Sequence, residues 1–212
     1  MSRVTLFDYF RSSASYRVRI ALNLKGVTYE RVDISLLDGD QRTPANLARN
    51  PQGFVPTLEI DGHRLTQSLA IIDYLDAKYP DPPLVSQDPA TRAATLAQAL
   101  VIAADIHPID NLRVLKYLKD VLGVDQDGRD TWYRHWVAEG LRALEAMAVD
   151  AGAFLGGDRP GLADICLVPQ LFNARRFSLP LDDYPILTRI DAACAALEPF
   201  AAAHPDRVGA QA

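Results

Sequence analysis

Two different spacings of apolar residues divide the chain. Residues 3 to 80 alternate strand and helix patterns. Val4, Leu6 and Tyr9 lie in a short apolar segment that predicts a first strand, and Ser13 or Ser15 is positioned to cap a helix carrying Val18, Ala21, Leu22 and Leu24. Gly26 follows at the position where a helix commonly ends in a left-handed residue. A second strand is predicted from Tyr29 to Ile34, and Thr43-Pro44 reads as an N-cap followed by proline at the first helical position. Asp61-Gly62, between Thr57-Leu58-Glu59-Ile60 and His63-Arg64-Leu65, is a strong hairpin signal. Ser68 then reads as the cap of a helix with Leu69, Ile72 and Leu75 along one side. The predicted order is β-α-β-α-β-β-α, whose opening βαβ unit implies parallel strands joined by a right-handed crossover.

Beyond Tyr79-Pro80-Asp81-Pro82-Pro83-Leu84, which breaks regular structure, the pattern is helical throughout. Leu96, Leu100 and Val101, then Leu112, Leu115 and Leu122, then Trp132, Trp136, Leu141 and Leu144 mark successive amphipathic helices. The fold class expected is an α/β N-terminal domain plus an all-α C-terminal domain. The boundaries are 1–80 for the first domain, 81–89 for the linker and 90–212 for the second.

Composition narrows the function. Of 212 residues, 49% are hydrophobic and 23% charged, enough apolar surface for a filled core. The net charge of -5 gives no basic face for nucleic acid, and an anionic substrate must find locally placed cations. Cys166 and Cys194 have neither metal-ligand nor redox spacing, so no metal is expected and a reducing compartment is. The opening residues meet charge too early for a secretory signal core, and no apolar run reaches membrane-spanning length. A soluble, cytoplasmic protein without membrane partners is the expectation.

Three stretches carry a resemblance. Arg11-Ser12-Ser13-Ala14-Ser15-Tyr16-Arg17-Val18-Arg19-Ile20-Ala21-Leu22 is similar to the signature of the zeta-class glutathione transferases, which reads Ser-Ser-Cys-Ser-Trp-Arg-Val-Arg. Asn50-Pro51, Val55-Pro56-Thr57-Leu58 and Gln67-Ser68-Leu69-Ala70-Ile71-Ile72 resemble the glutathione cradle of that class. Asp105-Ile106-His107-Pro108 with Asn111-Leu112, and Leu162 through Gln170, resemble its helical-domain motifs. The resemblance implies glutathione transferase architecture, a thioredoxin-like domain followed by a helical one. Two positions depart from the pattern: Ala14 stands where the signature has cysteine, and Gly161 where a Ser or Thr helix cap is usual.

The resemblance also implies the chemistry. Glutathione supplies a thiolate, and a free thiol is only a few per cent ionised at neutral pH. Lowering its pKa needs donors aimed at sulfur and a helix N-terminus, and Ser12 and Ser13 sit where both are available. Serines before helices are ordinarily caps, but with the family match Ser12 becomes the thiolate donor. Ser12, Ser13, Ala14, Ser15, Tyr16 and Arg17 form the first glutathione segment. Gln67-Ser68 takes the γ-glutamyl carboxylate at a helix start, a cis Val55-Pro56 bond presents the Val55 backbone to the cysteinyl part, and Gln41 meets the glycine end. His107 and Asn111, four residues apart, are expected on one helix face above a kink at Pro108, with Leu112 and Arg113 as further glutathione contacts. Arg11 and the second arginine of Arg175-Arg176 are the expected catalytic cations for a dicarboxylate substrate. His63, His135, His204 and both cysteines are read as structural, and Trp132 with Trp136 as core.

The activity implied is glutathione-dependent cis–trans isomerisation of a maleyl keto acid, maleylacetoacetate or maleylpyruvate, to its fumaryl isomer. Thiolate adds to the conjugated double bond, the resulting single bond rotates, and elimination returns glutathione unconsumed. One alternative is a transferase that conjugates or dehalogenates small electrophiles such as α-halo acids; another is a non-catalytic binding module of the same fold. A disulfide reductase is excluded because no Cys-x-x-Cys opens the first helix. A homodimer is expected from the family.

Overall fold

The computed structural model describes residues 3–209, and they fall into two compact units. The first comprises the residues up to Pro83 together with those from Ala196 onward, and the second is Leu84–Ala195. The last helices, which the expected boundaries include in 90–212, pack with the first unit. Polar side chains of α1 take carbonyls of the terminal segment. Arg19 Nε donates to Ala203 O at 3.1 Å and Asn23 Nδ2 to Pro199 O at 2.9 Å.

In the first unit, strand β1 (Thr5–Asp8) leads to helix α1 (Ser13–Leu24) and strand β2 (Glu30–Asp33). Helix α2 (Pro44–Arg49), the hairpin β3 (Thr57–Ile60) and β4 (His63–Thr66), and helix α3 (Ser68–Lys78) follow. The sheet order is β2-β1-β3-β4, with β1 parallel to β2 and antiparallel to β3. This is the predicted β-α-β-α-β-β-α arrangement. Local signals act as their chemistry dictates. Gly26, at φ +63°, closes α1 with its own amide on Asn23 O and the Val27 amide on Leu22 O, a paired C-terminal cap. Thr43 caps α2 with Pro44 in its first turn, and Asp61 and Gly62 both take positive φ in the hairpin turn. Leu6, Val18, Ile20, Leu22, Leu58, Ile60, Ile71, Ile72 and Leu75 form a core closed to solvent.

The second unit is helical among the described residues. It runs through α4 (Pro89–Leu100), a π-helical turn (Val101–Ile106), α5 (His107–Ile109), α6 (Leu112–Asp120), α7 (Gln126–Met147), α8 (Leu162–Arg176) and α9 (Pro185–Ala195). Helix α8 is its spine, with all but a few side chains buried against α4 and α9. The buried face of α4 is Thr95, Gln98 and Ala99, whereas Leu100, Leu112 and Leu122 lie open to solvent. Leucine periodicity therefore misplaced the buried face of α4, where Gln98 is held inside by donating to Met147 O at 3.4 Å. Gly161 caps α8 without a side chain. A Cβ there would stand 2.8 Å from Leu84 O, and Asp164 instead accepts the Gly161 and Leu155 amides at 2.8 and 2.9 Å. The departure at Gly161 thus reflects a close backbone approach that a Ser or Thr would obstruct. The terminal helices α10 (Glu198–Ala203) and α11 (Pro205–Gly209) complete the first unit.

Candidate active site

Two helix starts in the first unit carry the candidate glutathione residues. At α1, Tyr9 O accepts the Ser12 amide at 2.9 Å, turning the chain so that Ser12, and not Ser13 or Ser15, occupies the N-cap. Ser12 Oγ accepts the Ser15 amide at 3.2 Å. A hydroxyl has two acceptor lone pairs and one donor hydrogen, so capping leaves its O–H to donate elsewhere. Ser12 is half-buried, whereas the side chains of Ser13, Ser15 and Tyr16 are interior. Tyr16 packs edge-to-face against His204, with ring centroids 6.1 Å apart. Ala14 is half-exposed and contributes only a methyl group.

At α3, Gln67 holds the cap position in an unusual backbone conformation, φ +67° and ψ +116°, and Ser68 is the first helical residue. The expected cap at Ser68 is therefore displaced by one residue: the chain must turn sharply between the edge strand β4 and α3, and Gln67 absorbs that turn. Gln67 Nε2 donates to Gln52 Oε1 at 2.7 Å, tying the helix start to the loop before β3. That loop is built on the buried amide of Asn50, which donates to Phe54 O at 3.1 Å and accepts the Gln52 amide at 3.1 Å. It leads into Val55-Pro56, whose peptide bond is cis.

The electrostatics of α3 suit an anion. Its first turn contains no acidic side chain, and the buried guanidinium of Arg17 reaches Ser68 Oγ at 3.4 Å. A helix N-terminus backed by a cation is a carboxylate site. Gln41 lies in the short turn Asp40–Arg42, and its Oε1 is buried with no hydrogen-bond partner in the protein. The first unit thus offers a hydroxyl donor at one helix start, a cationic helix start, a cis bond at Val55-Pro56 and an orphan amide acceptor. Those are the groups a γ-glutamyl tripeptide thiol requires, so the donor set fits glutathione.

The second unit holds the remaining candidates. His107 opens α5, which ends at Ile109, and Asn111 is extended and caps α6 by accepting the Arg113 amide at 3.1 Å. His107 and Asn111 therefore do not share a helix face; the helix breaks between them. The break is held by Trp132 Nε1 donating to Ile109 O at 3.0 Å. Leu112 and Arg113 sit on the exposed first turn of α6. The arginine pair is also resolved. Arg175 is committed to Asp191 at 2.7 Å, while Arg176 lies over the Phe172 ring with its guanidinium on Asn173 Oδ1 at 3.2 Å. Arg11, in the first unit, is exposed above the Phe10 ring.

Sequence reasoning missed Asp110. Its carboxyl is buried at the helix break with neither oxygen hydrogen-bonded, and desolvation pushes its pKa up to about 8. Neighbouring Tyr133, stacked on Phe177 at 3.6 Å, is also raised, chiefly by burial and secondarily by Asp110. Its place in the His107-to-Asn111 turn was the one available signal.

The four-stranded mixed sheet followed by a helical unit, with candidate thiol-binding residues at two helix starts, defines the glutathione transferase class. The N-terminal domain model of the glutathione S-transferases matches residues 6–83 and their C-terminal domain model matches residues 130–205. The chain belongs to the glutathione S-transferase family, in its zeta class. It is 48% identical over 208 residues to a maleylacetoacetate isomerase of Rhizobium meliloti (strain 1021), covering 97% of this chain and 98% of that one. A holo structure of a maleyl pyruvate isomerase, described as a bacterial zeta-class glutathione S-transferase, superposes with TM-score 0.94 at 42% identity, covering 96% and 97% of the two chains. A maleylacetoacetate isomerase from Anaeromyxobacter dehalogenans 2CP-1 superposes with TM-score 0.86 at 45% identity, covering 98% and 97%. That structure holds dicarboxyethyl glutathione and citrate in its active site.

Proposed function

We propose that the chain is a glutathione-dependent cis–trans isomerase that converts a maleyl keto acid to its fumaryl isomer. The observation that carries the reading is the start of α1, where Ser12 caps the helix with a lone pair and keeps its O–H to donate. The relatives' activities point the same way, and the dicarboxyethyl glutathione held by one of them has the chemistry of a thiol added to a four-carbon diacid.

Bound glutathione would supply the thiolate whose addition turns the conjugated cis double bond into a rotatable single bond and whose elimination restores the double bond in the trans form. Ser12 donates its hydroxyl hydrogen to the sulfur, and the positive end of α1 favours the ionised thiol. Ser68, Gln67 and Arg17 hold the γ-glutamyl carboxylate at the start of α3, the Val55 backbone beside Pro56 pairs with the cysteinyl part, and Gln41 takes the glycyl end. Ser13, Ser15 and Tyr16 shape the segment from inside. Ala14 offers no thiol, so no protein sulfur shares the work. Arg11 in the first unit and Arg176 in the second are each assigned the chemistry of a carboxylate ligand, with forked guanidinium geometry suited to that anion. His107, Asn111, Leu112 and Arg113 are assigned to binding in the second unit. A cytoplasmic setting and a homodimer belong to the same proposal, and sedimentation equilibrium of the protein measures the second.

The decisive assay follows maleylpyruvate and maleylacetone optically with catalytic glutathione and counts thiols before and after turnover. Conversion of many equivalents of substrate with thiol unchanged is the expected result. Stoichiometric thiol loss identifies a conjugating transferase, and no rate enhancement identifies a binding module.

A further inference from the structure

The terminal segment Glu198–Gly209 closes on the loop that carries Arg11 and Ser12, and it does so through side chains that the proposed reaction leaves unused. Arg19, fully buried on α1, spends each arm of its guanidinium on a different piece of chain. Nε donates to Ala203 O at 3.1 Å, NH2 to Phe10 O at 2.9 Å, and NH1 to both carboxylate oxygens of Asp8 at 2.9 and 2.8 Å. Asp8 also accepts from Arg31 Nε at 3.0 Å, and Arg31 NH1 reaches Val208 O at 3.3 Å.

A second contact bypasses the arginines. Gly209 lies so close to Phe10 that a Cβ on it would stand 2.7 and 3.0 Å from two carbons of the ring. The guanidinium of Arg11 lies over that same ring, 5.0 Å from its centroid. Phe10 is thus held at its ring edge by Gly209 of the terminal segment and at its carbonyl by Arg19, whose Nε is in turn tied to Ala203 O of that segment. The next two residues are the candidate carboxylate ligand and the candidate thiolate donor.

We propose that the terminal segment Glu198–Gly209, acting through Arg19 and Gly209 on Phe10, is a positioning element for Arg11 and Ser12. This rests on the isomerase reading of those two residues. A guanidinium is a rigid planar fork, so a displacement of the Ala203 carbonyl is passed to Phe10 O as a tilt and is not absorbed by a flexible stem. Burial makes the arrangement all-or-none, because an arm left without its acceptor in a water-free site is costly. Catalytic groups tolerate little displacement, and about 1 Å costs roughly a hundredfold in rate.

Gly209→Ala tests the idea without altering charge or any catalytic group. The added methyl pushes on the Phe10 edge, so kcat/KM for the dicarboxylate should fall about ten- to a hundredfold, with the acid limb of the kcat profile displaced. Glutathione affinity, which the proposed function assigns largely to Arg17, Gln41, Val55, Gln67 and Ser68, should stay within about twofold. Arg19→Lys, which keeps the charge and loses the fork, should show the same split. Should that variant fail to fold, Asn23→Ala loosens the same segment by deleting only the bond to Pro199 O. A lowered melting temperature with unchanged kcat/KM and pH profile in Gly209→Ala and Asn23→Ala makes the segment merely structural and overturns the proposal. Arg11→Ala and Ser12→Gly run beside them. If those two leave activity unmoved, the isomerase reading of the loop has failed. If they lower it while Gly209→Ala does not, only the positioning role is lost.

Discussion

The hydroxyl oxygen of Ser12 accepts the amide hydrogen of Ser15 at 3.2 Å, so one side chain both caps α1 and stands ready to donate to sulfur. The two roles separate by substitution. Ser12→Ala removes both, costing about 1 kcal/mol of stability through the lost cap, whereas Ser12→Gly costs roughly a few tenths of a kcal/mol and still deletes the hydroxyl. Both variants should move the acid limb of the pH–rate profile upward and lower turnover at neutral pH, and only the alanine variant should melt appreciably earlier. A profile unmoved in Ser12→Gly assigns sulfur activation to backbone amides and the helix dipole.

Gln67 occupies a backbone conformation that glycine adopts more readily than glutamine. Such conformations cost on the order of 1–3 kcal/mol, against about 0.5–1 kcal/mol for the extra chain entropy of glycine. Gln67→Gly should therefore be at least as stable as the parent in denaturant titrations, yet bind glutathione more weakly in calorimetry. Tight binding by that variant removes the side chain from the cradle.

Arg175 and Arg176 are adjacent and should behave oppositely. Arg176→Ala should raise KM for a dicarboxylate more than for the monocarboxylate maleylacetone, a loss of about 1.5–3 kcal/mol for one charge-assisted contact. Arg175→Ala breaks a partly exposed pair with Asp191 and should cost about 0–1 kcal/mol of stability without touching KM. Equal KM effects of Arg176→Ala on both substrates give that arginine a structural role.

Asp110 sets a stability slope with pH. Its pKa is raised from 3.8 to about 8 by burial, so between those values the folded state binds a proton that the unfolded state has released. The stabilisation is full below the unfolded value and is lost as pH rises through the folded one. Asp110→Asn keeps the neutral shape, so its urea midpoint should decline less than the parent's between pH 5 and pH 8.5. Parallel declines mean that Asp110 ionises in the folded protein as it does in the unfolded one.

The sequence by itself determined what depends on a few consecutive residues. The strand and helix order, the turn at Asp61-Gly62, the end of α1 at Gly26 and the start of α2 at Thr43 arise from side chains acting on backbone within one turn. The signature around Ser12 and the cis Val55-Pro56 bond were legible through the resemblance to a family. Three things were decided only by the tertiary structure. Which arginine is committed depends on Asp191 of another helix. The partition of the chain depends on Arg19 meeting Ala203, 184 residues away. The break between His107 and Asn111 likewise needs Trp132, from α7, to take the Ile109 carbonyl. A buried charge or carbonyl must find its partner wherever the fold delivers one, and local spacing carries no record of that address.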